Sequence, residues 1–235
     1  MNKIIIEICC SSMASIKNAI EGKANRIELC QNLLVDGLSP SSEFLDKATS
    51  CCDLPIHVLI RPRSGNFFYN ISEIEQIEKD INRIKEFPIQ GIVVGALKND
   101  KSLAIEPLKK WRKMFPDLDF TFHRAFDVVK NCEMATQQLI DLGFNRILTS
   151  GQQLKANDGI DLLKKLNSKY SKQISIMPGG GINQKNIHEF LNSGFKQIHL
   201  SAKAQNEIQN EDPVSNLDII RSVTKKARNS LYLND

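Results

Sequence analysis

Asp119-Phe120-Thr121-Phe122-His123-Arg124-Ala125-Phe126-Asp127 changes character at its midpoint. The first four residues follow the turn-prone pair Pro116-Asp117 and read as a short buried strand; an imidazole, a guanidinium and a carboxylate then crowd in directly after the apolar run. A strand stops where chemistry starts. The same switch recurs along the chain, where β-rich segments end in Cys9, Cys30, Arg61-Pro62-Arg63, Gly95, Thr149-Ser150-Gly151, Pro178-Gly179-Gly180-Gly181 and Ser201. With His123 these make eight strand ends, all polar or glycine-rich.

Working outward, each strand is followed by a stretch with helical spacing. Ser11 or Ser12 caps Met13, Ile16, Ala19 and Ile20 up to Gly22; Ser39-Pro40-Ser41-Ser42 opens a helix reaching Cys51; and Ser72-Glu73-Ile74-Glu75 resembles a capping box ahead of Ile77, Ile81 and Ile84. Further helices are expected at about 103–114 and 133–142, after Asp158, across Ile187 to Leu191, and over 217–227. Eight strands alternating with helices predict a TIM-type (β/α)8 barrel, because an open doubly wound sheet would gather its ligand groups at one switch point instead of at every strand end. A length of 235 residues suits one such domain spanning 1–235, with the Asn-, Gln-, Glu- and Asp-rich segment 203–216 as an exposed loop.

Thirty-one basic and 27 acidic residues, interspersed without a long like-charge block, argue against a nucleic-acid footprint. No apolar run approaches the length of a membrane span, and no signal peptide precedes Ile4-Ile5-Ile6. Six cysteines without such a signal fit a reducing, cytoplasmic location. The phosphate-loop, nucleophile-elbow and metalloprotease-helix patterns are absent, and no nucleotide cofactor is expected.

The first two strands share a pattern, Ile6-Glu7-Ile8-Cys9 and Ile27-Glu28-Leu29-Cys30. Side-chain alternation and a strand spacing of about 4.8 Å bring both carboxylates and both thiols together. Crowded carboxylates raise at least one pKa, which prepares Glu7 or Glu28 for proton transfer; a structural pairing with Arg61 or Arg63, which share that parity, is the competing reading. The remaining strand ends suggest a rim for a small anionic ligand, with Arg61, Arg63 and Arg124 as gripping groups and His123 and Asp127 as acid–base partners. Gly179, Gly180 and Gly181 offer unobstructed backbone N–H groups, to which Thr149, Ser150, Gly151 and Ser201 add donors. Cys9 and Cys30 are either two core thiols or a pair of soft ligands suited to Cu(I). His57, His188 and His199 lie inside predicted elements and read as structural, and Cys51, Cys52 and Cys132 as packing groups.

Taken together, Glu7-Ile8-Cys9, Arg26 to Cys30, Gly37-Leu38-Ser39-Pro40-Ser41, Ile60-Arg61-Pro62-Arg63, Thr121 to Asp127, Ile147 to Gly151 and Met177 to Ile182 resemble the CutC family of copper homeostasis proteins. The resemblance covers most of the chain from Ile4 to Ala202, in family order. It implies a single TIM-type barrel, a cytoplasmic location, a homo-oligomer (dimer or tetramer), and Cu(I) binding at the cysteines matching Cys9 and Cys30. Those two thiols do not account for His123, the arginines or the glycine-rich loop. An enzyme acting by acid–base chemistry on a phosphate- or carboxylate-bearing substrate is therefore the alternative expectation.

Overall fold

A computed structural model describes residues 3–204 and 212–232. Its eight strands are β1 (Ile5–Cys10), β2 (Arg26–Leu29), β3 (Ile56–Leu59), β4 (Gly91–Val94), β5 (Asp119–Phe122), β6 (Arg146–Thr149), β7 (Ser175–Pro178) and β8 (Gln197–Leu200). The helices are α1 (Met13–Glu21), α2 (Ser42–Cys51), α3 (Ile71–Arg83), α4 (Ile105–Met114), α5 (Cys132–Asp141), α6 (Ile160–Tyr170), α7 (Ile187–Asn192) and α8 (Leu217–Tyr232). All strand pairs are parallel, in the order β7-β6-β5-β4-β3-β2-β1-β8. This is a nearly closed (β/α)8 barrel, in which β7 and β8 meet without a paired register among the described residues.

Alternation along each strand sorts the side chains into two compartments. Facing the helices are Ile6, Ile8, Ile27, Leu29, Val58, Ile92, Phe120, Phe122, Ile147, Ile176 and Ile198, all buried in one apolar layer with Ile16, Leu45, Ile77, Trp111, Leu139, Leu163, Phe190 and Ile220 of the helices. This layer supplies the burial that holds the helices on the barrel. The alternate positions face the barrel axis and hold Glu7, Cys9, Arg26, Glu28, His57, Thr121, Arg146 and His199, which are also buried.

Local signals place the helix ends, with three shifts from the expected boundaries. Ser12 and Ser41 cap α1 and α2, their hydroxyls accepting from the N–H groups of Ser15 and Phe44. The capping box of α3 lies two residues earlier than expected: Asn70 Oδ1 accepts from Glu73 N and the Glu73 carboxylate accepts from Asn70 N. Asn is an equally good cap, and Ser72 instead donates to Asn70 Oδ1 at 2.7 Å. Leu103 precedes α4 because it pairs with Leu97 in an isolated bridge, and α8 continues past Ala227 to Tyr232. Within the expected exposed loop, residues 205–211 lie outside the described residues. Ser215 of that loop is buried, donating from its N–H to Ser15 Oγ at 3.0 Å and from its hydroxyl to Cys9 O at 3.3 Å.

Phe120 sits in the apolar layer, packed edge-on against Phe144 with ring centroids 5.5 Å apart. Phe120→Ala is expected to lower unfolding free energy by about 3–5 kcal/mol, read from the urea midpoint at constant m-value.

Candidate functional site

The barrel axis holds charge at its base and sulfur nearer its mouth. At the base, Arg26 Nε donates to Glu7 Oε2, and Arg26 Nη2 reaches Gln197 Oε1 at 2.8 Å and Met177 Sδ at 3.3 Å. A second arginine, Arg146, donates to Asp119 Oδ2 at 2.5 Å, to Thr121 Oγ1 at 3.3 Å and to His57 Nδ1 at 3.2 Å. A guanidinium has only donors, so Nδ1 of His57 accepts and the ring proton sits on Nε2. Burial holds the His57 pKa down to about 3, against the opposing pull of Glu7 and with Arg26 and Arg146 adding to it. His57 is therefore neutral. Its ring occupies space that β4 leaves open, since a Cβ on Gly91 would lie 2.6 Å from it.

Glu7 stays ionised for the opposite reason. Burial disfavours its charge, but Arg26 and His199 together hold its pKa well below the usual carboxylate range. Arg26 does the neutralising, with His199, and the expected pairing of the acids with Arg61 or Arg63 is not what the structure shows. His199 Nδ1 lies 2.8 Å from Glu7 Oε1, and its Nε2 lies 3.5 Å from Glu28 Oε2. Burial opposes a charge on His199, yet Glu28, the Cys9 thiol and Glu7 raise its pKa well above the usual value. Burial and the charge of Glu7 raise the pKa of Glu28 despite His199. One imidazolium thus bridges two carboxylates of unequal acidity.

Above this bridge the thiols of Cys9 and Cys30 face each other with their sulfurs 3.5 Å apart, both buried. Their shared hydrogen bond and burial push the Cys9 thiol up, and Cys30 is also raised. Leu59 and Val93 form an apolar wall around them, with Leu33 packed against it. Donor atoms of Cys9, Glu28 and His199 all lie within 4.8 Å of one another.

The expected rim residues are placed less uniformly. The buried Arg61 donates to the carbonyls of Val35 (2.9 Å), Gly37 (3.1 Å) and Gly65 (3.0 Å), and holds the loops after β2 and β3. Arg63 is turned to Glu73 (2.5 Å), Asn66 and Phe68. His123 Nδ1 accepts from Ala125 N at 3.1 Å and its ring stacks beside Phe67; burial and the charge of Arg61 lower its pKa to about 3. Asp127 accepts from Thr149 Oγ1, Ser150 N, Ser150 Oγ and Gln152 N, and binds Arg124 Nε at 2.7 Å. Gly151 N donates to Thr149 Oγ1 and Gly179 N to Thr149 O, while Ser201 is half-buried at the end of β8. The structure brings Glu7, Glu28, Cys9 and Cys30 together on the axis and Arg124, Asp127, Thr149 and Ser150 together at the rim. His123, Arg61 and Arg63 stand apart from both groups. Arg26 and Arg146 are absent from the expected site residues and His199 is expected to be structural, although counting back by twos from Glu28, Ser150 and Ser201 puts all three on the inward face.

Because Arg26 compensates a fully buried charge, Arg26→Met is expected to cost about 3–5 kcal/mol in urea unfolding, and a Glu7→Gln/Arg26→Met double variant to recover part of it. The histidines give a pH dependence. His57 and His123 resist protonation until about pH 3 when folded, but take up a proton near pH 6.5 when unfolded, so stability is full above that value and falls as pH drops towards 3. Each contributes a slope of about 1.4 kcal/mol per pH unit between roughly pH 4 and 6. Unfolding free energies from urea titrations over that interval should fall less steeply with pH for His123→Asn than for the parent by that amount; equal slopes would refute the assignment.

A model of the CutC family matches residues 4–204. A mouse protein named as a copper homeostasis protein cutC homolog is 39% identical over 207 residues, covering 88% of this chain and 76% of its own length. The human homolog of the same name is 39% identical, covering 86% and 75%. The crystal structure of CutC from Streptococcus agalactiae superposes with a TM-score of 0.80 at 31% identity, covering 84% of this chain and 98% of its own. A thiamine phosphate pyrophosphorylase from Pyrococcus furiosus, at 17% identity and a TM-score of 0.64, shares the fold alone. With the match running from the first strand past the last, the chain belongs to the CutC family.

Proposed function

We propose that this chain serves copper homeostasis in the cytoplasm by holding Cu(I) between the thiolates of Cys9 and Cys30. The observation that carries this reading is the pair of buried sulfurs 3.5 Å apart inside an apolar wall. Thiolates are soft donors and prefer Cu(I) to hard cations, and two of them suffice for that ion. The mouse and human relatives named for copper homeostasis support the same role.

The surroundings explain how the ion would be loaded. A thiol binds metal only after losing its proton, and both thiols are held protonated by their environment. The Glu28 carboxylate, within 4.8 Å of the Cys9 sulfur, is a nearby proton acceptor. His199 lies in the same cluster and approaches Glu28 through its Nε2 at 3.5 Å. Glu7 fixes His199 by its Nδ1 contact, which leaves Nε2 facing Glu28 and the sulfur. These groups surround the thiolate pair and set its protonation.

Anaerobic Cu(I) titration of the reduced protein against a competing chelator should show one tightly bound ion per chain. Cys9→Ser/Cys30→Ser should abolish that binding, and His199→Asn should weaken it about 10–100-fold. Binding unchanged by the double substitution would remove these cysteines from the metal site.

A further inference from the structure

The rim beside β6 and β7 contains a second arrangement that the thiol pair does not use. Gly180 and Gly181 both lie in the left-handed region, at φ +104° and +74°. The carbonyl of Gly180 accepts from Ala156 N at 2.9 Å; that of Gly181 accepts from the side-chain amides of Asn183 (3.1 Å) and Asn186 (3.0 Å). In a trans peptide the N–H points opposite to the preceding carbonyl. With both carbonyls turned outward to these partners, the N–H groups of Gly181 and Ile182 point the other way, and no described residue accepts from them or from Gly180 N. Successive free N–H groups in such a turn form a concavity suited to an anion.

Two cations flank the turn. A Cβ on Gly180 would lie 3.3 Å from Arg124 Cζ and 3.4 Å from its Nη1, so the guanidinium rests on the space that glycine leaves. Asp127 grips Arg124 through Nε at 2.7 Å, and Nη2 donates to Ser150 Oγ at 2.9 Å. Nη1 has no acceptor among the described residues. Asp127 is itself filled by the donors of Thr149, Ser150 and Gln152, so it orients the guanidinium without occupying its free edge. On the other side the stem of Lys155 lies over Gly181, 3.3 Å from where a Cβ would stand, and its ammonium has no ion-pair partner among the described residues. Two cations, only one of them paired with a carboxylate, therefore flank three N–H donors that are unclaimed among the described residues. Positive charge, a preorganised guanidinium edge and backbone donors are what a tetrahedral oxyanion requires.

We infer that the turn Gly180-Gly181-Ile182, with Arg124 and Lys155, binds the phosphate group of a small phosphorylated ligand or free phosphate. The site lies after the seventh strand, where this barrel architecture commonly receives phosphate, and is independent of the copper reading. Gly179, beside the turn, packs tightly against the barrel interior: a Cβ there would lie 2.5 Å from Leu148 Cδ1 and 3.3 Å from His199 Cδ2.

Titration calorimetry at low ionic strength, with inorganic phosphate and separately with glycerol 3-phosphate, tests this. Saturable binding of at least one is expected. Lys155→Ala, at an exposed position and with its fold checked by circular dichroism, should weaken it about tenfold, as should Arg124→Gln. Tighter binding of the monoester would identify a phosphorylated molecule as the ligand; equal or tighter binding of phosphate would identify the free anion. Cys9→Ser/Cys30→Ser should bind either probe as the parent does, which keeps this result separate from that of the copper titration. No saturable binding of either probe up to about 10 mM, or unchanged binding in both Lys155→Ala and Arg124→Gln, would overturn the assignment.

Discussion

The pairing of Glu7 with Arg26 inside the barrel is the constraint on which the rest of the axis depends. Barrels of this architecture usually fill their centre with layers of branched aliphatic side chains, which cost nothing to dehydrate. Here much of that space is taken by ions and imidazoles, each of which must recover its hydration from a neighbour. Glu7 does so with Arg26 and His199, and Arg146 with Asp119, Thr121 and His57. The apolar layer between strands and helices supplies the net stability, and the axial network supplies specificity of placement. Removing one partner would strand a charge that no water can reach.

The same network sorts two chemically identical side chains into different states. His57 and His199 both lie on the axis and both approach Glu7, at 3.7 and 2.8 Å. Two guanidiniums beside His57 add to its burial and leave it neutral. Two carboxylates and a thiol beside His199 overcome burial and keep it charged. Their difference comes from the charged side chains that reach each ring. His57 of β3 meets Arg146 of β6 from across the barrel, whereas His199 of β8 meets Glu7 of β1 and reaches Glu28 of β2.

The strand-and-helix alternation and the parity of Glu7 with Cys9 and of Glu28 with Cys30 were legible in the sequence, because a period of two survives any uncertainty about loops. Arg26, Arg146 and His199 were legible in principle by the same count. They were missed because a charged residue at the start of a strand reads as a solvent-facing boundary, and a histidine inside one as packing. Arg61 and Arg63 could not have been assigned in this way. Whether a guanidinium meets a ligand or the carbonyls of Val35, Gly37 and Gly65 depends on the path of the loops, which no periodicity encodes. Lys155 was unreadable for a similar reason, since only the folded turn brings its stem over Gly181.

Arg61 also shows how a residue without ligand contacts shapes a site. By drawing the carbonyls of Val35 and Gly37 inward it fixes the loop after β2, where Gly37 adopts φ +84° and packs against Leu59 and Cys30. A Cβ there would lie 2.9 Å from Leu59 Cδ2, so glycine is required both for the backbone angle and for the close approach. Leu33 of the same loop packs onto the wall formed by Cys9, Cys30, Leu59 and Val93. The guanidinium thus helps keep the thiols covered and dry, and dryness helps keep both thiols protonated. The arginines at the barrel mouth therefore divide by their partners: Arg61, spent on carbonyls, closes the sulfur site, while Arg124, held on one edge by Asp127, keeps a free edge facing the glycine turn.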